Sequence, residues 1–106
     1  MKIQPLMIIA ATLLVPCVAT AADAVVVTQK GLMFNPNGLS IAKGQTVDFV
    51  NNDGTAHNIT IVGGPVNFNG GLQPPGGHVK YSFTKPGTYT AQCGIHPKMK
   101  LPIEVK

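Results

Sequence analysis

The chain contains no arginine and only two cysteines, and charged residues make up 11% of its 106 positions. Its positive charge comes from scattered lysines, which form neither a basic helix nor a basic stripe with stacking aromatic residues, so nucleic-acid binding is not expected. The sequence also lacks a convincing helical period. Of the two cysteines, Cys17 lies in an N-terminal apolar run and Cys93 stands alone in the rest of the chain.

The N-terminal apolar run is too short and too interrupted for a membrane span. It begins after the positive charge of Lys2, contains two prolines, and ends in small residues directly before position 23. A transmembrane helix needs about 20 apolar residues, whereas this arrangement is typical of a secretory signal peptide. We predict a signal peptide over residues 1–22 and one domain over residues 23–106, exported to the periplasm without stable membrane insertion.

Removal of the first 22 residues leaves 84 residues with Cys93 as the sole cysteine. No disulfide can form within that domain, although exported proteins commonly carry them. A solitary cysteine in an exported protein needs another role, and metal ligation supplies one. A hydrophobic core is marginal in a domain of this size, so a metal bound only by the folded state would also stabilise it.

Short alternating segments separated by glycine, proline and asparagine are typical of an all-β sandwich. Between them, Gly63–Gly77 holds six glycines and three prolines and is interpreted as a long irregular connection, in which a sheet edge stays an open alternative. The seven predicted strands are Ala24–Gln29, Leu39–Ala42, Thr46–Asn51, Asn58–Val62, His78–Thr84, Thr88–Gln92 and Leu101–Lys106.

Strand parity predicts which side chains face the core, because side chains two positions apart share a face of a strand. Cys93 continues the inward set of Thr88–Gln92, and His57 continues the inward set of Asn58–Val62. Both residues therefore stand on core-facing sides at strand ends, where two strands can share a metal. The same parity places His78 on an outward face, as a solvated surface residue.

The candidate metal donors are His57, Cys93, His96 and Met99, of which the last three follow one another at steps of three. One thiolate, two imidazoles and one thioether are the donor set of a blue-copper site, with the methionine as weak axial ligand. Zinc prefers closed sets of cysteine and histidine, and calcium and magnesium prefer oxygen. We therefore predict one copper per chain, cycling between Cu(I) and Cu(II), at an electron-transfer site without catalytic residues.

Residues next to the donors are expected to shape the site. Asn58 is predicted to hold its strand against the Cys93 loop through its amides and to orient the thiolate. Pro97 removes a backbone donor and stiffens the loop. Met33 is the other methionine of the predicted domain, and beside Phe34 it is expected to have a core role.

The chain resembles the cupredoxins, the small blue-copper proteins that include plastocyanin, pseudoazurin and amicyanin. The gap of two residues between His96 and Met99 is similar to the short ligand loop of amicyanin. The resemblance implies a Greek-key β-sandwich of about seven strands with copper near one end. The stretches that carry it are Phe34-Asn35-Pro36, Ile41-Ala42-Lys43-Gly44-Gln45-Thr46-Val47, Asn51-Asn52-Asp53, His57-Asn58, Pro86-Gly87-Thr88-Tyr89 and Cys93-x-x-His96-x-x-Met99.

The resemblance also implies how electrons leave the protein. The exposed edge of His96 would be the exit, surrounded by an apolar docking surface that Ile95, Pro97 and the Gly63–Gly77 connection are expected to form. Two lysines of the ligand loop, at positions 98 and 100, would rim this surface and attract an acidic redox partner. The expected partners are a c-type cytochrome or a periplasmic dehydrogenase, and the carrier itself is expected to be a monomer.

Several related functions can be weighed from single positions. A multicopper oxidase or nitrite reductase has a histidine beside the copper cysteine to connect a second centre, and Gln92 and Gly94 stand there instead. A binuclear copper site needs two cysteines. A Cys/His hydrolase would need a base in a cleft and an oxyanion hole, for which no pattern is evident. We expect no enzymatic activity; a copper-binding module for delivery or resistance stays open as the alternative.

Overall fold

The computed structural model describes residues 23–106, which form nine β-strands in two sheets. The predicted signal peptide over residues 1–22 lies outside the described residues. No helix in the described range is long and apolar enough to cross a membrane. The strands are β1 Val25–Lys30, β2 Met33–Asn35, β3 Leu39–Ile41, β4 Thr46–Asn51, β5 His57–Val62, β6 Phe68–Gln73, β7 His78–Ser82, β8 Gly87–Cys93 and β9 Lys100–Val105.

The strand order shows a sandwich whose chain passes repeatedly between the two sheets. One sheet has the order β2-β1-β4-β7, and the other has the order β3-β9-β8-β5-β6. The pairs β1–β4 and β3–β9 are parallel, because the chain crosses to the other sheet between their members. The predicted all-β sandwich is confirmed.

Two of the nine strands, β2 and β6, are absent from the seven that the sequence predicts, although β6 confirms the sheet edge left open as an alternative within Gly63–Gly77. The three residues of β2 form a hairpin with β1. Strand β6 lies within Gly63–Gly77 and pairs with β5, with a register shift between Asn58 and Thr60. Both strands lie at sheet edges. Edge strands can be short, and their backbone pairing with one neighbour needs no alternating side-chain pattern.

The core joins both sheets through a run of aromatic side chains. Phe68 of β6 stacks on Tyr81 of β7 at a centroid distance of 4.6 Å, and Phe83 lies edge-on to both Tyr81 and Tyr89. Burying a phenylalanine side chain fully contributes about 1.5–3 kcal/mol, and Phe83 is fully buried. The buried Tyr89 hydroxyl donates to the Lys85 carbonyl oxygen at 2.6 Å. Burial raises the pKa of Tyr89, with a smaller contribution from Tyr81.

The predicted core role of Met33 is wrong. Its side chain is 64% exposed, whereas the neighbouring Phe34 is 4% exposed and packs edge-on to Phe49. Alternation along β2 explains the difference, because only the middle of its three residues points inward.

Candidate metal centre

Strand pairing brings His57 and Cys93 together at one end of the sandwich. Strands β5 and β8 are antiparallel neighbours, and Ile59 pairs directly with Cys93. His57 stands two residues before Ile59 on the same inward face, as strand parity predicts. The end of β8 and the beginning of β5 therefore present a thiol and an imidazole to the same point.

A short loop between β8 and β9 places His96 beside Cys93 and His57. The Met99 backbone N–H donates to the His96 carbonyl oxygen at 2.9 Å, and the Cys93 N–H donates to the Met99 carbonyl oxygen at 3.3 Å. These two bonds close the loop onto itself and keep its residues beside the end of β8. Pro97 sits at the tip of the loop and is exposed.

Three donor atoms form a nearly equilateral triangle. The Cys93 sulfur lies 3.6 Å from the Nδ1 atom of His57 and 3.6 Å from the Nδ1 atom of His96, and the two nitrogens are 3.3 Å apart. An ion with ligand bonds of about 2.0–2.3 Å separates its donors by roughly 3.3–3.7 Å. The triangle therefore fits a single metal ion.

Burial divides the candidate ligands into an interior group and one residue at the surface. His57, Cys93 and Met99 are buried, whereas His96 is half-buried. His78 is excluded from the cluster: its side chain is 54% exposed and pairs with Asp48 at 3.0 Å. The structure thus places His78 outside the site, as strand parity predicts.

Asp53 determines which nitrogen of His57 is free to bind a metal. The Nε2 atom of His57 lies 2.7 Å from Oδ2 of Asp53. A carboxylate accepts a hydrogen bond, so Nε2 carries the proton and Nδ1 presents its lone pair to the cluster. Burial raises the pKa of Asp53, but hydrogen bonds from His57 and from the backbone of Gly31 and Leu32 outweigh it, so the pKa lies below its ordinary value.

Asn58 supports the thiol through its backbone. The Asn58 N–H donates to the Cys93 sulfur at 3.3 Å, and the Gly94 N–H donates to the Asn58 carbonyl oxygen at 2.9 Å. Its side-chain amide nitrogen donates to Asn69 and to the carbonyl oxygen of Gly71 on β6. Its Oδ1 atom lies so close to Gly94 that a Cβ atom there would overlap it. The hydrogen bonds from Asn58 to the loop are therefore made by its main-chain atoms, and its side-chain oxygen packs against Gly94.

A buried amide network below the site has no counterpart in the sequence prediction. Asn51 donates to the carbonyl oxygens of Thr55 and Gln73, and it accepts from the Asp53 N–H at 2.9 Å. Gln73 in turn accepts from Gln29 at 2.7 Å. The network fixes the turn that carries Asp53. Its only signal in the sequence is that polar residues occupy inward strand positions.

The surface beside His96 is apolar and concave. A cavity of about 420 Å³ is lined by Leu32, Ile95, Pro97 and Met99, together with His96 and Lys98. Ile95 and Leu32 are about half exposed, at 50% and 48%. The β1–β2 turn reaches the site and supplies Leu32 to this cavity, whose lining residues include none from Gly63–Gly77. Within that segment, Leu72 is 71% exposed on β6 and pairs with Asn58 next to His57. The expected place of the segment in the docking surface stays a prediction.

A two-sheet sandwich that gathers a thiol and two imidazoles at one end has the architecture of a cupredoxin. The chain matches the model of the copper binding proteins of the plastocyanin/azurin family over residues 21–106, and it belongs to this family. Its cofactor is copper, which the donor triangle fits in size and in donor type.

Known proteins of this kind align with most of the chain. Plastocyanin from Ulva prolifera is 30% identical over 86 residues, covering 71% of this chain and 88% of that protein. A solved structure of a reduced amicyanin mutant is 28% identical, with a TM-score of 0.72 over 83% of this chain and 88% of amicyanin. A copper-containing nitrite reductase from Thermus scotoductus SA-01 is 36% identical, also with a TM-score of 0.72. That alignment covers 78% of this chain but only 22% of the reductase.

Proposed function

We propose that this protein is an exported blue-copper electron carrier whose copper ligands are His57, Cys93, His96 and Met99. The observation that carries the proposal is the triangle of two imidazole nitrogens and one sulfur, with sides of 3.3–3.6 Å, at the buried end of the sandwich. Met99 adds a buried thioether from the same loop. Copper, when bound, would supply a reversible one-electron couple between Cu(I) and Cu(II).

The surrounding residues suit a site that changes little between two oxidation states. Asp53 holds the His57 ring, and the Asn58 N–H holds the Cys93 sulfur. Burial of His57, Cys93 and Met99 excludes water from three of the four ligands. The half-buried His96 is the only proposed ligand that reaches the surface, so we propose it as the electron exit.

The visible spectrum of the copper-loaded protein tests the assignment. The oxidised protein should be intensely coloured by thiolate-to-copper charge transfer, and ascorbate should bleach it. Cys93→Ser should abolish the colour because the thiolate is lost. His78→Ala changes the histidine outside the cluster and should keep the colour. A colourless oxidised protein, or colour that survives Cys93→Ser, would contradict the proposal.

Copper delivery or resistance is the second candidate function. Such a protein must release its metal, whereas this site encloses three donors and fixes two of them with hydrogen bonds. These features favour a carrier that retains copper. Repeated oxidation and reduction in the presence of a Cu(I) chelator distinguishes the two functions: a carrier keeps its copper through the cycles, and a delivery module loses it.

We propose that the chain is not an enzyme, despite its similarity to one part of a nitrite reductase. A second copper centre connected to Cys93 would need a histidine beside it, and Gln92 and Gly94 occupy those positions. Addition of nitrite to the reduced, copper-loaded protein should therefore cause no catalytic turnover.

We propose an acidic redox partner, such as a c-type cytochrome or a periplasmic dehydrogenase, that docks on the cavity beside His96. Leu32, Ile95 and Pro97 supply apolar surface there, and the exposed Lys98 and Lys100 supply positive charge. Charges at the rim of an interface mainly raise the rate of association. In this arrangement the carrier acts as a monomer.

Export to the periplasm is proposed from residues 1–22 of the sequence, which have a positive start, an apolar run and a small-residue end. The mass of the protein recovered from the periplasm tests this proposal. Cleavage at the proposed site gives a chain that begins at Asp23, whereas a full-length chain recovered from the cytoplasm would contradict it.

A further inference from the structure

The carboxylate of Asp53 joins two parts of the molecule that are distant in sequence. Its Oδ2 atom lies 2.7 Å from Nε2 of His57, and it accepts a hydrogen bond from the Leu32 N–H at 3.2 Å. Its Oδ1 atom accepts from the Gly31 N–H at 2.6 Å. One carboxylate therefore accepts three N–H groups, one from a buried imidazole and two from the β1–β2 turn.

The turn that Asp53 holds has a conformation that leucine rarely adopts. Gly31 and Leu32 have φ values of 62° and 57°, and they connect paired strand residues Lys30 and Met33. A two-residue hairpin turn with positive φ at both positions favours glycine or asparagine. Outliers of this kind persist where the surrounding structure enforces them, and they are frequent at functional sites.

The side chain displayed by this turn lies at the proposed docking surface. Leu32 is 48% exposed and lines the same cavity as His96, Ile95 and Pro97. Leu32 is therefore an exposed apolar residue in a strained conformation, and both bonds from the turn to Asp53 hold it beside the half-buried imidazole.

We propose that Asp53 is a positioning residue that ties the copper ligand His57 to the turn that presents Leu32 to the redox partner. The same carboxylate then sets the affinity of the metal site and the shape of the surface where electrons leave. This inference rests on the proposed function for its role in electron transfer, although the tie itself is a property of the apoprotein.

The charge of Asp53 also acts on the metal site. A Cu(II) ion with one thiolate carries a net charge of +1, which the carboxylate neutralises. With Cu(I), the ion, the thiolate and the carboxylate together are net negative. The carboxylate therefore favours the oxidised state, and its removal should raise the reduction potential. Asparagine offers one acceptor oxygen in place of two, so Asp53→Asn also leaves N–H groups of the turn or the imidazole without a partner.

The test compares Asp53→Asn with Asp48→Asn. Asp48 forms the other aspartate–histidine pair of the described chain, with the solvated His78 outside the cluster. Asp53→Asn should lower Cu(I) affinity by about 10–100-fold, as loss of a hydrogen-bonding partner of a ligand histidine does. It should also raise the reduction potential, while Asp48→Asn leaves both values unchanged. Equal affinity and potential in the Asp53→Asn and wild-type proteins would overturn the proposal.

Amide exchange in the apoprotein tests the tie independently of copper. The amide of Gly31 or that of Leu32 should exchange faster in Asp53→Asn than in wild type or Asp48→Asn, because asparagine keeps only one of their two acceptor oxygens. The nitrogen-15 shifts of His57 in the wild-type apoprotein should show a proton on Nε2, which needs no variant to fold. A deprotonated Nε2, or amides of Gly31 and Leu32 that are both unaffected by Asp53→Asn, would overturn the inference. A wild-type protein that binds no copper but passes both tests would instead contradict the proposed function.

Discussion

Met99 and Met33 have the same side chain, but their surroundings give them different properties. Met99 is 3% exposed in the loop that carries His96, whereas Met33 is 64% exposed at the beginning of β2. A thioether is a weak and soft ligand, which favours Cu(I) more than a harder oxygen donor does. The reduction potential should therefore depend on Met99 and not on Met33.

Met99→Gln should retain copper but lower the reduction potential, because an amide oxygen stabilises Cu(II). Met33→Leu, which replaces the methionine outside the site, should leave the potential nearly unchanged. Voltammetry of the two copper-loaded variants measures both effects. A larger shift for Met33→Leu than for Met99→Gln would show that the axial ligand is wrongly assigned.

Glycines of the segment Gly63–Gly77 let its backbone lie close to side chains of the core. Gly64 lies against the ring of Tyr89, and a Cβ atom at this position would overlap the ring. At Gly70, a Cβ would lie 2.8 Å from a methyl carbon of Val79. The glycines that make the segment look irregular thus let it approach the core, and β6 pairs with β5 within it.

Gly64→Ala should destabilise the fold by about 1–3 kcal/mol, the usual cost of overpacking a filled core. Tyr89 cannot move away easily, because it is buried and its hydroxyl is bonded to Lys85. Gly38→Ala is the matched control, since a Cβ there has no heavy atom within 4 Å. Urea unfolding of the apoproteins gives the comparison, and equal midpoints for the two variants would contradict the packing argument.

The charge of the whole molecule is positive, with eight lysines and four acidic residues in the sequence. Lys98 and Lys100 lie at the end of the sandwich that holds the metal centre. Lys43 and Lys106 are joined by a backbone hydrogen bond at the far end of β9. Long-range electrostatic attraction would steer an acidic partner to the molecule. Of these two pairs of lysines, only Lys98 and Lys100 lie beside the proposed docking surface.

Lys98→Glu combined with Lys100→Glu should slow electron transfer to an acidic acceptor about 10-fold at low salt and leave the visible spectrum intact. Lys43→Glu combined with Lys106→Glu changes the net charge equally and should slow it much less. The difference should shrink as salt rises, because exposed charges are screened. Stopped-flow kinetics measures the rates, and equal second-order rates for the two double variants would argue against docking at His96.

The sequence alone predicts the all-β class and the types of side chain in the candidate donor set. Side chains alternate between the two faces of a strand, and this alternation can be read from neighbouring residues in the sequence. It correctly places His57 and Cys93 inward and His78 outward. The donor types are a property of the side chains themselves, so copper follows from chemistry that needs no coordinates. The sequence could include His96 in the candidate donor set because it follows Cys93 in a short loop, which keeps the two side chains near each other.

The surroundings of those donors depend on contacts that exist only in the folded chain. Asp53 lies more than 20 residues from the turn it holds, and β6 becomes a strand only because β5 offers its edge. Leu32 reaches the cavity beside His96 through the β1–β2 hairpin. No alternating pattern of residues in the sequence predicts this position. Such contacts join turns and edges that are distant along the chain, and their geometry depends on how the two sheets pack. Local sequence patterns carry no information about that packing.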